Sequence, residues 1–142
     1  MPGFFPFSTT FAVRITDLNY GAHVGNDTVL SFIHEARVQF LKSLGYTELN
    51  LEGTGLIMSD AVIEFKKELY YGDEIRISVA AVDLNRVGFD LVYKLVKNSG
   101  QANTLLALAK TSMVCYNYLL KKVVQLPEPA RRKLSVCAVI PD

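Results

Sequence analysis

Between positions 17 and 35 the chain gathers most of the side chains able to do chemistry: Asp17, Asn19, His23, Asn26 and Glu35. A carboxylate or an imidazole can take a proton from water. A helix N-terminus offers unpaired main-chain N–H groups and a favourable dipole to an oxygen that gains negative charge. Together these are parts for attack on a carbonyl. Asp17 and Asn19 lie two apart, so on an extended segment they face the same way. Asn26, followed by Asp27 and Thr28, is helix-start chemistry: Asn26 is expected as the N-cap, and Asp27 suits the positive end of the dipole. Glu35 sits about two and a half turns further on, at 3.6 residues per turn. Each residue also has a plain structural role. Asp17 can end a strand and accept from loop amides. Asn26 can simply cap. His23 can order its loop, Glu35 can pair with Arg37 or Lys42, and His34 falls on the solvated face of the helix.

The elements that must position these residues follow from hydrophobic spacing. Phe11, Val13 and Ile15 alternate with Ala12, Arg14 and Thr16, which predicts a half-buried strand from Thr10 to Asp17. Gly21 and Gly25 mark a loop over 19–25. Val29, Ile33, Ala36, Phe40 and Leu44 then recur at helical spacing, with Leu30, Phe32 and Leu41 widening the stripe, and Gly45 is a natural stop. Four strand-like runs follow: Ala61 to Lys66, Glu74 to Ala81, Phe89 to Leu95, and Thr104 to Tyr118. Tyr71-Gly72-Asp73, Asn85-Arg86-Val87-Gly88 and Asn98-Ser99-Gly100 separate them as turns. Pro127 and Pro129 close the sheet, with a short helix after them. Short connections make neighbouring strands antiparallel. The fold class is therefore α+β: one curved antiparallel sheet wrapped around one long central helix.

The chain of 142 residues is expected to be a single domain, 1–142. Half its residues are hydrophobic and a fifth charged, a composition that folds. A net charge of +1 argues against a nucleic-acid partner. The basic run Arg131-Arg132-Lys133 reads as the solvated face of a short helix. Cys115 and Cys137 form neither a metal pattern nor a disulfide framework, and Cys115 reads as a buried thiol. The apolar N-terminus, Met1 to Phe7, is broken by Pro2 and Pro6 and lacks the basic start of a secretory leader. No apolar run approaches a membrane span. A soluble chain in a reducing, cytoplasmic setting is expected.

Specific residues give this architecture a family. The stretch Val13-Arg14-Ile15-Thr16-Asp17-Leu18-Asn19-Tyr20-Gly21-Ala22-His23-Val24-Gly25-Asn26 resembles the signature of hotdog-fold acyl-CoA thioesterases of the 4-hydroxybenzoyl-CoA thioesterase type. That signature runs from an Arg-bearing strand through T-D to G-H-V-N-N at the helix start. Phe32-Ile33-His34-Glu35-Ala36-Arg37 resembles the family's F-x-E-x-A-R, and Tyr71-Gly72-Asp73-Glu74-Ile75 its turn before a strand. Ala109 to Asn117, with Gln125-Leu126-Pro127-Glu128, resembles the last strand and its exit. The resemblance covers about Phe11 to Glu128.

The resemblance implies hydrolysis of an acyl thioester, on coenzyme A or an acyl-carrier protein, to free acid and thiol. It implies no cofactor beyond coenzyme A as part of the substrate, and a homodimer or homotetramer with the site between subunits. The oxyanion donor would be the main-chain N–H at or near Asn26. Three positions depart from the pattern. Asn19 stands where the family carries its catalytic Asp, four residues before the His. Gly25 replaces an Asn, and Val29 an aromatic residue. An amide cannot serve as a carboxylate nucleophile or base, though Asn19 can still orient a water or hydrogen-bond a carbonyl. Asp17, two residues earlier on the same face, is the candidate to take over, and Glu35 is a second. His23 is read as ordering its loop before acting as a base. Phe32, Met58, Val62 and Met113 are candidates for an acyl slot. Lys66, Lys67 and Arg86 are candidates to meet coenzyme A phosphates. Two other functions stay open: a non-catalytic acyl-CoA-binding module, suggested by Asn19, and a hotdog enoyl-CoA hydratase, loosely echoed by Asp17-Leu18-Asn19 with His23.

Overall fold

The long helix α1 (Asn26–Ser43) is held from both ends and along one wide face. Val29, Phe32, Ile33, Ala36, Phe40 and Leu41 are buried along it, as its apolar stripe predicts, and Arg37 is buried with them. Leu30, expected within the stripe, instead faces outward, 46% exposed. The C-terminus closes as the glycine signal requires. Gly45 takes φ +84°; its N–H bonds Lys42 O at 2.9 Å, and Tyr46 N–H bonds Leu41 O at 2.9 Å. This is a Schellman closure, which only a residue tolerant of positive φ completes without strain.

The computed structural model describes residues 5–18, 24–99 and 102–136. Around α1 runs an antiparallel sheet of β1 (Phe7–Ala12), β2 (Gly55–Phe65), β3 (Glu74–Val82), β4 (Gly88–Ser99), β5 (Ala102–Asn117) and the short β6 (Lys122–Val123). The spatial order is β1-β3-β4-β5-β2, with β6 beside β5. A second helix, α2 (Glu128–Val136), starts between the two prolines, with Pro129 in its first turn. Its basic run lies outward as expected. Arg131 donates to Asn85 O at 2.7 Å, and the Lys133 ammonium lies 4.8 Å from the centroid of the Tyr46 ring.

The inner sheet face supplies the rest of the core through Ile75, Ile77, Val79, Leu91, Tyr93, Leu95, Leu106 and Met113. Gly88 lets β4 start tight against β5: a Cβ there would sit 1.9 Å from Met113 O.

The first strand lies earlier than its alternation predicts. It spans Phe7–Ala12, and Ile15–Asp17 forms a 3₁₀ turn instead of continuing the strand. The reason is packing plus a local closure. Phe7 meets Phe40 edge-on and Phe11 stacks on Phe32, which pins the strand to the helix. Asp17 N–H then bonds Arg14 O at 2.9 Å and turns the chain away. β2 begins six residues before its predicted start and carries a register shift between Met58 and Asp60 that hides its alternation. β3, β4, β5 and the turns at 71–73 and 85–88 lie where the sequence places them. Asn98 and Ser99, expected in a turn, instead extend β4 and pair with Asn103 and Ala102, and Gly100 lies outside the described residues.

Candidate active site at the helix tip

The N-terminus of α1 is uncapped. Gly25, at φ −73° and ψ 159°, is the cap residue, so Asn26 opens the helix instead of capping it. No side chain bonds the first-turn amides. Gly25 O takes Thr28 N–H at 3.1 Å and Val29 N–H at 3.2 Å. Among the described residues the N–H groups of Asn26 and Asp27 have no acceptor. Two main-chain donors at the positive end of a five-turn helix are thus free for a ligand oxygen.

A cavity of about 590 Å³ opens at this tip. Its walls are Val24 and Val29 from the helix entry, Phe65 from the end of β2, Leu69 from the β2–β3 connection, and Leu95, Leu106 and Ala107 from β4 and β5. All of these but Phe65 are buried. The connection is stitched to the helix entry by Val24 N–H to Leu69 O at 2.9 Å, and to β5 by Lys66 N–H to Leu106 O at 2.8 Å. Asn26, Lys66, Lys67, Glu68 and Tyr70 supply the polar lining. The result is a pocket with an apolar wall on one side and Asn26, the first residue of the helix, at its end.

Asp17 and Glu35 do not line this cavity. They meet in a separate cleft of about 560 Å³, with Phe11, Arg14, Thr28, Ser31 and Phe32. Asp17 is buried, and both its carboxylate oxygens are engaged. Oδ2 accepts from Arg14 N–H at 2.8 Å and Nε at 3.3 Å, and Oδ1 from a guanidinium nitrogen at 3.1 Å. Burial alone would raise its pKa, but these bonds and the guanidinium charge outweigh it and hold the carboxyl below its usual range. Glu35 is exposed and accepts from Gln39 Nε2 at 3.1 Å, while Gln39 Oε1 accepts from the Thr9 hydroxyl at 2.6 Å. Asn19 and His23 lie outside the described residues.

None of the four acyl-slot candidates lines the helix-tip cavity. Phe32 stacks on Phe11 in the second cleft, Met113 is core, and Met58 and Val62 are exposed on the β2 edge. The slot is lined instead by residues whose grouping depends on the β2–β3 connection folding back over the helix entry. Lys66 and Lys67 do stand at it, whereas Arg86 does not. Sequence reasoning also missed Glu68 and Tyr70, which have no motif of their own; Tyr70 O–H donates to Glu68 Oε2 at 2.8 Å.

A buried polar chain crosses the core nearby. Arg37 Nε donates to Glu48 at 2.7 Å and its Nη1 to Tyr93 Oη at 3.4 Å, and the Tyr93 and Thr111 hydroxyls lie 2.8 Å apart. No buried side-chain polar atom among the described residues lacks a partner. Also among them, no group of His, Cys, Asp and Glu could hold a metal ion, and no helix is long and apolar enough to cross a membrane.

The family model of the thioesterase-like superfamily matches residues 13–134 of this sequence. The chain belongs to that superfamily. Its relatives include a 1,4-dihydroxy-2-naphthoyl-CoA hydrolase of Thermosynechococcus vestitus, 30% identical over 120 residues, 82% of this chain and 80% of that protein. A 1,4-dihydroxy-2-naphthoyl-CoA thioesterase from Synechocystis superposes with a TM-score of 0.81 at 23% identity, covering 91% of this chain and 95% of the other. A thioesterase from Thermus thermophilus, solved with coenzyme A and zinc, gives 0.80 at 22% identity over 94% and 95%. This superfamily chain therefore has the hotdog fold expected from its motifs, with α2 added and the sheet left open.

Proposed function

We propose that this superfamily member hydrolyses acyl-CoA thioesters, binding the acyl group in the helix-tip cavity with its carbonyl oxygen on the Asn26 and Asp27 amides. One observation carries the reading: an uncapped helix N-terminus opens onto a pocket with an apolar wall in a chain of thioesterase ancestry. The two donors are fixed by α1 before substrate arrives, so they stabilise an oxyanion without reorganising. The apolar part of the wall, Val24, Val29, Leu69, Leu95, Leu106 and Ala107, lowers the local dielectric and strengthens that interaction. Lys66 and Lys67 stand at the slot, where they suit coenzyme A phosphates. The relatives named as CoA hydrolases support coenzyme A over a carrier protein.

Asp17 serves this site as a positioning residue. Its bonds to Arg14 close the 3₁₀ turn that leads into 19–23 and on to the helix tip. Asn19 and His23 follow Asp17 in that segment of the sequence, and Glu35 remains a helix-surface carboxylate tied to Gln39. The protein works as a homodimer, with tetramers built from it. β2 is an 11-residue strand at one edge of the sheet, and Met58, Val62 and Phe65 are exposed along it. A second copy pairing there would cover an edge that otherwise invites uncontrolled association. The buried free thiol of Cys115 suits a reducing, cytoplasmic setting.

The test is thiol release from a panel of aliphatic and aromatic acyl-CoAs. Release from at least one class, at rates well above background, is expected. Tight binding without release would favour an acyl-CoA-binding module. Loss of enoyl absorbance without thiol would favour a hydratase.

A further inference from the structure

We propose that Glu68, held by Tyr70, is the general base of this chain, occupying the functional place left by Asn19. The inference rests on the thioesterase reading and identifies a residue that reading leaves open. Glu68 is the only carboxylate that lines the helix-tip cavity among the described residues. Asp17 and Glu35 line the other cleft. The Val24–Leu69 main-chain bond fixes the segment carrying Glu68 beside the helix entry, so the carboxylate and the Asn26 amide share one cavity.

Tyr70 O–H donates to Glu68 Oε2 at 2.8 Å. That bond is the foremost cause holding the phenol above its ordinary range, so Tyr70 stays a donor. Tyr70 is itself anchored: its N–H donates to Asp73 Oδ2 at 2.8 Å, and Asp73 pairs with Lys97 at 3.1 Å. With one Glu68 oxygen oriented by Tyr70, the other is free to meet water. Lys66 is occupied by Glu64, while Lys67 has no ion-pair partner among the described residues and adds positive potential at the slot.

The step balances with one water. Glu68 takes a proton as the water oxygen bonds the thioester carbon, and the carbonyl oxygen becomes an alkoxide held by the Asn26 and Asp27 amides. Collapse of that intermediate restores the carbonyl and breaks the C–S bond. The leaving thiolate then receives the proton from Glu68, giving acid and thiol.

The experiment compares wild type, Glu68→Gln, Glu68→Ala and Tyr70→Phe on the best substrate of the acyl-CoA panel. Removing the base should lower kcat about a hundredfold to ten-thousandfold, with KM and thermal midpoint nearly unchanged. Added formate should restore part of the Glu68→Ala rate in proportion to its concentration, which a merely structural role would not allow. Tyr70→Phe should lower kcat less, again at constant KM. A Glu68→Gln enzyme that is folded and within about threefold of wild type would overturn the assignment and leave the thioesterase reading intact. A wild-type protein inactive on the whole panel would overturn that reading first.

Discussion

Asp17 commits both oxygens to Arg14, and this sets the sign of a pH effect. Its carboxyl is held below the unfolded value, so its contribution to stability is present above an unfolded pKa of about 3.9. The contribution fades as pH falls through the lower folded value. Asp17→Asn should therefore lower the thermal midpoint at neutral pH, and the gap to wild type should close in acid; a gap constant with pH would contradict this. Tyr93→Phe tests the buried polar chain. It leaves Arg37 and Thr111 one partner short in the core and should cost about 1–3 kcal/mol in denaturant unfolding. Asn19→Asp should raise kcat, because it restores a carboxylate where the family carries one. Some of these roles were legible in residue types alone. A chain-ordering carboxylate at Asp17 was, but its partner Arg14 and the 3₁₀ turn were not, because alternation carries the strand on to Asp17. Arg37 was not: a cation inside an apolar stripe is buried only because Tyr93 and Glu48 meet it from distant segments.

At the scale of elements, the helix start shows what one position decides. Asn is a strong capping residue, so Asn26 reads as the cap, yet the chain places Gly25 there. A glycine cap costs little stability and leaves the amides unblocked. Gly25→Ser should reverse both effects: a serine oxygen would accept from the Asp27 or Thr28 N–H, raising stability by a few tenths of a kcal/mol. It should also lower kcat, up to about a hundredfold if the Asp27 amide is fully taken. A more stable variant with undiminished kcat would remove that amide from the mechanism. β3, β4 and β5 were legible from alternation because each turns apolar side chains into the core. β1 and β2 were legible only in part. The register of β1 is set by Phe7 and Phe11 packing on Phe40 and Phe32, and β2 carries a bulge. The cavity was illegible, since its walls come together through main-chain bonds between segments remote in sequence.

For the whole molecule, the exposed β2 edge and the helix-tip slot belong to one design, because β2 ends at Phe65 on the cavity wall. Val62→Lys, mid-edge, should shift the sedimenting species from dimer toward monomer and reduce thiol release; a dimer of unchanged mass would move the interface elsewhere. The central claim is that the Asn26 and Asp27 amides receive the substrate oxygen. The most direct measurement is amide NMR of the full chain, titrated with a non-hydrolysable acyl-CoA in which a methylene replaces the thioester sulfur and the ketone remains. The account predicts saturable downfield shifts of the Asn26 and Asp27 N–H resonances, with accompanying changes at Val29, Leu69 and Leu106. Shifts confined to the cleft of Asp17 and Glu35, with the two helix-tip amides unmoved at saturation, would contradict it.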